Sequence, residues 1–336
     1  MRHNQISRQN KNKKIKYLAI GLAAGVLGIG SAAGVLTSAN SHAVTRSASS
    51  STQDTDQITY KGVTYVPKGN LETYLFAGID SPDKVTEIKE YDGTGQCDVL
   101  AVIVRDRSTD QCKLLSIDRN TITAVKSLDN DGTYLDTTDI QISLAHAMGF
   151  DQQVRAENTV DAVSHLLGDQ TIDGYAMVNM GAISVVNDMV GGVTVTIEDD
   201  FSDIDPSMKK GETVTLMGEQ AEKYVRSRKE ISDGSNQNRM SRQSTYEEAF
   251  KPAFRNKCAE NSKFPLEVYH AMEDYMTTNI SAKKFCRLAI LMSDENQDEK
   301  VAISGTYGLD EDEWQTFTPD EDSLQEAILE LFYQKQ

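Results

Sequence analysis

The stretch "DVLAVIVRDRSTDQCKLLSIDRN", Asp98 to Asn120, contains two runs rich in Val, Ile and Leu on either side of a polar turn. Runs of this length and composition are typical of two strands joined by a hairpin. Earlier in the chain, "TYLFAGID", Thr73–Asp80, is a third apolar run, and it ends in an acid. Later in the chain, "GYAMVNM" and "VTVTIED" have the same character. The sequence therefore predicts a sheet built from these buried strands.

Segments with helical spacing of apolar residues alternate with the strands. A short helix is predicted in "LMGEQAEKYVRSR", and a later helix that begins at Arg239 is expected to kink or end at Pro252. Further helices are predicted over residues 140–148, 158–167 and 182–190. This alternation predicts an α/β fold in which a mixed central β-sheet is sandwiched between helix layers. We assign residues 59–336 to one such domain.

The N-terminal part predicts a membrane anchor. Residues 17–39, "YLAIGLAAGVLGIGSAAGVLTSA", carry no charge, and a helix of that length would span roughly 30 Å of hydrocarbon. The basic tail 1–16 should stay in the cytoplasm, so we expect a single-pass protein of the cell membrane whose C-terminal domain is extracellular. Residues 40–58 are polar and serine-rich, as in a flexible linker. The alternative is a cleaved signal peptide, with Ser41-His42-Ala43 as the cleavage site.

Composition and charge exclude some classes of function. An apolar content of 39% predicts a folded chain with a core. The net charge is −17, and six of the 34 basic residues lie in residues 1–16, so the remainder of the chain is near −23. Such a surface repels phosphate backbones, which makes nucleic acid an improbable partner.

The cysteines and histidines do not predict a zinc site. The four cysteines (Cys97, Cys112, Cys258 and Cys286) include no CxxC pair, and the five histidines form no HExxH motif. A Cys97–Cys112 bridge is disfavoured, because the turn between them places the two residues several pairs out of register. A disulfide between Cys258 and Cys286, which the exported location permits, is left open.

Arginines are concentrated in "YVRSRKEISDGSNQNRMSRQ", Tyr224 to Gln243. This stretch of an acidic protein holds Arg226, Arg228, Arg239 and Arg242. Guanidinium groups in fixed geometry suit phosphate oxygens, which they bind in pairs of hydrogen bonds. The alternative is that each arginine makes a surface ion pair that contributes well under about 1 kcal/mol.

Helical spacing predicts how part of this cluster is displayed. From Arg239, the residues three, four and seven positions on are Arg242, Gln243 and Tyr246, which share one face of a helix. We interpret that face as polar and unsuited to a core. Arg119, at the end of the second hairpin strand, is expected to join the cluster.

Two acids lie at predicted strand ends. Asp80 closes one strand and Asp98 opens the next. Two carboxylates on neighbouring strand ends can share Mg²⁺, which prefers oxygen ligands together with waters and substrate phosphates. The alternative is that each acid caps a turn or pairs with an arginine.

In this order the segments resemble the LytR–CpsA–Psr family of membrane-anchored cell-wall ligases. The resemblance covers essentially all of residues 70–250. Its motifs are "LFAGID", "CDVLAVIV", "LLSIDRNTI", "QISLAHAMG", "NTVDAVSHLLG", "TIDGYAMVN", "NDMVGGVTVTIEDD", "GEQAEKYVRSR" and "NRMSRQ". The tail segments "TTNISAKKF" and "FTPDEDSLQEAILELFYQK" resemble the clostridial-type branch of the family.

The resemblance implies transfer of a glycopolymer from a polyprenyl-diphosphate carrier onto peptidoglycan, a phosphotransferase-type ligation on the outer face of the cytoplasmic membrane of Gram-positive bacteria. The implied polymer is a teichoic acid, a capsule or another polysaccharide. By motif, Asp80 and Asp98 match metal-site acids for Mg²⁺ or Mn²⁺. The residues that match diphosphate-binding positions are Arg119, Arg226, Arg228, Arg239 and Gln243. Among all these residues, the expected catalytic ones are Arg119, Arg226, Arg228 and Asp98.

Two positions depart from the family pattern. Gln96 stands where the family often has an arginine, and Asn120 stands where it usually has an aspartate. These departures favour an alternative function, a non-catalytic protein that binds polyprenyl diphosphates or senses the state of the envelope.

Overall fold

Strands and short helices alternate along the folded part of the chain. The structure, a computed structural model, describes residues 57–88, 95–227, 231, 236–294 and 299–336, and for 236–240 it describes the backbone. The strands, in chain order, are β1 (Ile58–Tyr60), β2 (Val63–Pro67), β3 (Leu71–Ile79), β4 (Cys97–Asp106), β5 (Cys112–Ile117), β6 (Ile122–Leu128), β7 (Tyr134–Gln141), β8 (Gly174–Asn179), β9 (Val193–Thr196), β10 (Thr213–Leu216), β11 (Met276–Thr278), β12 (Glu299–Val301), β13 (Gly305–Leu309), β14 (Gln315–Pro319) and β15 (Tyr333–Lys335). The α-helices are α1 (Gln152–Leu166), α2 (Ala182–Met189), α3 (Glu219–Arg226), α4 (Asn236–Glu260), α5 (Phe264–Met272), α6 (Ala282–Ser293) and α7 (Glu321–Phe332).

A six-stranded mixed sheet with the order β11-β8-β3-β4-β5-β12 forms the centre of the protein. β3 runs parallel to β8 and antiparallel to β4, so that Phe76 lies opposite Ala176 on one side and Ala101 on the other. β4 and β5 form the predicted hairpin, in which Leu100 pairs with Ile117. The prediction of a mixed central sheet is confirmed.

The sheet is covered on both faces because its central strands are apolar on both sides. Side chains alternate along a strand, so Tyr74 and Phe76 of β3 face one layer while Leu75 and Ala77 face the other. The first layer contains helices α2 to α6, and the second contains α1 and α7. The predicted arrangement of a sheet between helix layers is therefore confirmed.

A second hairpin, β6–β7, occupies a region where sequence spacing indicated a helix from residue 140. β7 continues to Gln141, and only a 3-10 helix, Ile142–Ala147, follows it. The helix predicted over 158–167 begins earlier, at Gln152, because the Asp151 carboxylate caps it by accepting the Gln153 and Val154 N–H groups.

Pro252 was predicted to kink or end its helix; helix α4 continues through it to Glu260, so the predicted end is wrong, and a kink stays a prediction. Tyr246, Phe250 and Phe254 follow one another at intervals of four residues and stack, with ring centroids 6.1 and 6.0 Å apart. These rings are buried in the first layer. Their packing outweighs the cost of a proline in a helix, about 3 kcal/mol.

The first and last strands of the domain belong to one three-stranded sheet, β1-β2-β15. The predicted tail 1–16, the anchor 17–39 and nearly all of the linker 40–58 lie outside the described residues. Among the residues that are described, no helix has the length and apolar character needed to cross a membrane.

All four cysteines carry free thiols. Cys112 pairs with Arg105 on β4, whereas Cys97 lies opposite Ile79 on β3, which agrees with the expectation that these two are out of register. Cys258 and Cys286, for which a bridge was left open, lie on α4 and α6 and are not joined.

Candidate functional site

Four of the predicted site residues meet at one edge of the central sheet. β3 is parallel to β8 and antiparallel to β4, which is in turn antiparallel to β5. The carboxyl ends of β3, β5 and β8 therefore lie beside the start of β4. Asp80 follows β3, Asp98 is the second residue of β4, and Arg119 follows β5. Helix α3 ends at this edge with Arg226.

Two arginine–aspartate pairs stand side by side at this edge. The Arg119 guanidinium donates to the Asp98 carboxylate and to the side-chain oxygen of Gln96. Arg226 Nη2 donates to Asp80 Oδ1 at 3.0 Å. The Asp80 N–H donates to the Gln96 carbonyl at 2.9 Å, which ties the two pairs together through the backbone. The structure thus brings together four of the predicted residues.

The side chains at this edge are only partly exposed to solvent. The side chains of Arg119 and Arg226 are 30% and 33% exposed, and that of Asp98 is 14% exposed. Within the described part of the chain, the Arg119 Nε–H is buried without a hydrogen-bond acceptor. A buried donor without an acceptor costs free energy, which a ligand oxygen would relieve.

Glu222 is a site residue that the sequence argument missed. Its carboxylate lies one helical turn before Arg226 and accepts a hydrogen bond from Arg226 Nη1 at 2.6 Å. The sequence spacing could have predicted this contact, because an acid and an arginine four residues apart on a helix are neighbours. The described part of the site accordingly holds two guanidiniums against the three carboxylates of Asp80, Asp98 and Glu222.

Arg242 and Gln243 support the site from beneath instead of lining its surface. Arg242 is among the largest fully buried side chains, so the interpretation of its helix face as polar and unsuited to a core is wrong. Arg242 donates to the Tyr224 carbonyl at 3.1 Å, to the Ser227 carbonyl and to the Asp199 carboxylate. Three acceptors satisfy the buried guanidinium, which is what allows it to be buried.

Gln243 is also buried and donates to the Val225 carbonyl at 3.1 Å. Together with Arg242 it fixes the backbone around Arg226. Direct contact of Gln243 with a diphosphate stays a prediction. So do the roles of Arg228, which lies outside the described residues, and of Arg239, whose backbone lies in α4 and whose side chain is not described.

The two departures from the family pattern have defined partners. Gln96 accepts from Arg119 and so lies within the site. Asn120 donates its backbone N–H to Asp118 Oδ1 at 2.8 Å, and its side-chain amide lies 3.5 Å from Gln315 Oε1. The Asp118 carboxylate also accepts the Tyr307 hydroxyl. Hairpin β13–β14 therefore forms a wall beside Arg119, which sequence reasoning did not foresee.

A buried network holds the segment that leads into β4. His146 Nδ1 lies 2.8 Å from the Gly95 carbonyl, and burial lowers the pKa of His146 to about 4. Gly95 has φ +89°, and an added Cβ would lie 2.5 Å from the Arg155 guanidinium, so only glycine fits there. Burial raises the pKa of Cys97 to about 12, so this residue is a neutral thiol and no nucleophile.

A cleft of about 660 Å³ opens beside the loop that follows Asp80. Its lining combines Val85 and Phe150 with the carboxylates of Glu87, Asp131 and Asp151. A lining with three carboxylates does not suit the tail of a polyprenyl lipid.

Asp80 and Asp98 meet the minimal requirement for a magnesium ion. Across the described ranges, no three or more His, Cys, Asp or Glu side chains are grouped closely enough to hold a metal by themselves. Mg²⁺, however, is commonly held by one or two carboxylates with waters and substrate phosphates. The two aspartates therefore fit this kind of ion.

Comparison with known proteins shows what this chain is similar to. A sequence model described as the LytR_cpsA_psr family matches residues 34–332. A polyisoprenyl-teichoic acid–peptidoglycan teichoic acid transferase, TagU, of Halalkalibacterium halodurans is 32% identical over 160 residues, 48% of this chain and 46% of its own length. The TagU protein of Bacillus subtilis is 34% identical over 148 residues, 44% of each chain. The matched region thus spans less than half of these relatives.

The match to a solved structure covers a larger share of both chains. The crystal structure of B. subtilis TagV has a TM-score of 0.56 and 25% sequence identity, and the match covers 79% of this chain and 96% of that one.

Proposed function

Because the chain belongs to the LytR_cpsA_psr family, we propose that it transfers a glycopolymer from a polyprenyl-diphosphate carrier onto peptidoglycan. The observation that carries the proposal is the side-by-side placement of the Arg119–Asp98 and Arg226–Asp80 pairs at one sheet edge. Relatives that share 32% and 34% identity are named teichoic acid–peptidoglycan transferases, which supports the same class of reaction here.

The diphosphate of the carrier binds between Arg119 and Arg226. Each guanidinium exchanges part of its contact with a carboxylate for charge-assisted hydrogen bonds to phosphate oxygens. The buried Arg119 Nε–H supplies one more donor. Arg228 and Arg239 complete the binding set in this proposal, and buried Gln243 holds the backbone beneath it.

Asp80 and Asp98 would hold Mg²⁺, or Mn²⁺, which would supply positive charge beside the diphosphate oxygens. Glu222 keeps Arg226 oriented while that arginine contacts the ligand.

In the reaction, a peptidoglycan sugar hydroxyl attacks the phosphorus nearer the glycan. A new oxygen–phosphorus bond forms, the bond from that phosphorus to the bridging oxygen breaks, and polyprenyl phosphate leaves with the bonding electron pair. A site aspartate accepts the hydroxyl proton. Arg119 and Arg226 stabilise the charge that develops on the phosphoryl oxygens, because their positions are fixed beforehand by their carboxylate partners.

The proposed setting is the outer face of the cytoplasmic membrane. Residues 17–39 anchor the protein by a single span, and the domain 59–336 lies outside the cell near the lipid carrier. The basic tail 1–16 remains in the cytoplasm in this arrangement.

The second candidate is a protein that captures polyprenyl diphosphates, or senses the envelope, without turnover. The observation that favours it is that Gln96 occupies the place beside Arg119 where the family often has a further arginine.

One experiment separates the two functions. Full-length protein in detergent is incubated with Mg²⁺, a lipid-linked glycopolymer and peptidoglycan, with an EDTA-treated sample as control. Covalent polymer–peptidoglycan product in the Mg²⁺ sample alone supports the transferase, whereas retained lipid without product supports the binder. Absence of both product and retained lipid would refute the proposal.

A further inference from the structure

The hairpin β13–β14 presents exposed aromatic surface directly beside the proposed phosphate site. Trp314 is 66% exposed and Leu309 is 69% exposed. Exposed apolar side chains that lie close together on one surface often mark an interaction site.

The hairpin is fastened to the site by several hydrogen bonds. The Phe317 N–H donates to the Asn120 carbonyl at 2.8 Å, and the Gln315 carbonyl accepts the Gln141 amide at 2.7 Å. The Tyr307 hydroxyl donates to Asp118. Trp314 precedes Gln315, whose side-chain oxygen lies 3.5 Å from the side-chain amide of Asn120, the residue after Arg119, so the turn that carries Trp314 lies close to the phosphate site.

The base of the Trp314 side chain is held rigidly. The Asp310 carboxylate accepts the Trp314 N–H at 2.8 Å, and the Trp314 carbonyl accepts the Asp310 N–H at 2.9 Å. Below the turn, the Tyr307 and Phe317 rings pack with centroids 5.0 Å apart. The backbone that carries the indole is therefore already ordered, and only the two side-chain torsions of Trp314 remain to be fixed when a ligand covers the ring.

The charge of the hairpin selects against anionic ligands. Residues 305–319 contain no lysine or arginine, and the four residues before Trp314 are Asp310, Glu311, Asp312 and Glu313. All four are exposed. Such a surface repels a polymer of phosphodiesters and the headgroups of anionic lipids. An aromatic ring flanked by carboxylates suits a neutral sugar, whose C–H face packs on the ring and whose hydroxyls donate to the carboxylates.

We propose that hairpin β13–β14 is the binding surface for the acceptor glycan strand, with Trp314 as the ring on which one sugar of that strand packs. The inference rests on the proposed transfer reaction, in which an uncharged sugar hydroxyl must approach phosphorus beside Arg119. The phosphate-bearing donor then binds on the arginine side of the site, and the acceptor binds on the acidic aromatic side.

Trp314 is the single tryptophan of the chain, so its fluorescence reports directly on this surface. Full-length protein is titrated with chitopentaose, a neutral oligomer of N-acetylglucosamine, and we expect a saturable change in tryptophan emission. Glycerol phosphate oligomers and anionic phospholipid vesicles should leave the emission unchanged. A response to either of these with none to chitopentaose would overturn the proposal and assign the surface to the donor polymer or the membrane.

Kinetics provide the second readout. Trp314→Ala should raise the KM for the acceptor roughly 3- to 10-fold, the loss of one aromatic contact, with the KM for the lipid donor unchanged. Trp314→Phe should retain most of the affinity. Ile290→Ala is the matched control, because Ile290 is 51% exposed on α6 and its loss should change neither constant.

The two possible failures are distinguishable. If the wild-type protein forms product but Trp314→Ala leaves the acceptor KM unchanged, the glycan surface is wrong while the transferase stands. If the wild-type protein forms no product, the transferase fails, and the chitopentaose titration alone decides whether this hairpin binds glycan.

Discussion

Replacement of Arg226 by alanine should separate the contribution of this residue to catalysis from its contribution to stability. Arg226 makes two ion pairs, to Asp80 at 3.0 Å and to Glu222 at 2.6 Å, and its side chain is 33% exposed. Ion pairs that are this exposed contribute about 0.3–1 kcal/mol each. We therefore expect Arg226→Ala to lower the free energy of unfolding by about 1 kcal/mol.

The effect on transfer should be much larger. A hydrogen bond from a guanidinium to a developing phosphoryl charge contributes about 1.5–3 kcal/mol. Its loss corresponds to a decrease of roughly 10- to 150-fold in the rate of polymer transfer. The assays are urea unfolding of the full-length protein and transfer of a labelled glycopolymer to peptidoglycan in the presence of Mg²⁺.

Lys223→Ala is the matched control. Lys223 lies on the same helix and pairs with Glu219 at 3.1 Å, so its replacement removes one positive charge and one exposed ion pair. It should cost a similar small amount of stability and leave transfer unchanged. Equal transfer rates for Arg226→Ala and Lys223→Ala would refute the reasoning. So would a loss of stability in Arg226→Ala large enough to leave much of the protein unfolded.

Three other predictions concern buried groups. Arg242→Met should lower the free energy of unfolding by about 3–5 kcal/mol, because it leaves the Asp199 carboxylate and two carbonyls without their partner; a loss below about 1 kcal/mol would contradict the buried network. His146 has a pKa of about 4 when folded, below its ordinary value of 6.5, so protons bind preferentially to the unfolded chain as the pH falls below 6.5. Urea unfolding should therefore show about 2 kcal/mol less stability at pH 5 than at pH 7 from this group, and His146→Gln should remove that part of the slope. Cys97, fully buried with a pKa of about 12, should be alkylated by iodoacetamide only after unfolding, whereas half-buried Cys258 should react in the folded protein; equal rates would contradict the burial of Cys97.

The central sheet could be predicted because each of its main strands is recognisable from a short apolar stretch of sequence. β3 and β4 are apolar on both sides, and such strands can only lie between two layers. The meeting of Asp80, Asp98 and Arg119 followed from the order of the strands alone. These parts of the fold depend on residues close together in the chain.

Other features depended on contacts that a single sequence does not reveal. Arg242 could be buried only because Asp199 and the carbonyls of Tyr224 and Ser227 converge on it. Helix α4 continues through Pro252 because packing of aromatic rings outweighs a local preference. The wall beside the site is contributed by residues almost two hundred positions from Arg119. In each case the structure depends on contacts between residues far apart in the chain, which the local sequence pattern does not show.

The pairing of β15 with β2 has a consequence for how the domain is made. Gln334 lies opposite Val66, so this ladder joins positions 268 residues apart. Contacts with so large a separation form late, because the loop between them must close first. Strands β1 and β2 therefore lack their third partner until β15 has been synthesised, so this small sheet cannot be completed before then. A chain shortened by β15 should leave β2 as an unpaired edge, open to association with other chains.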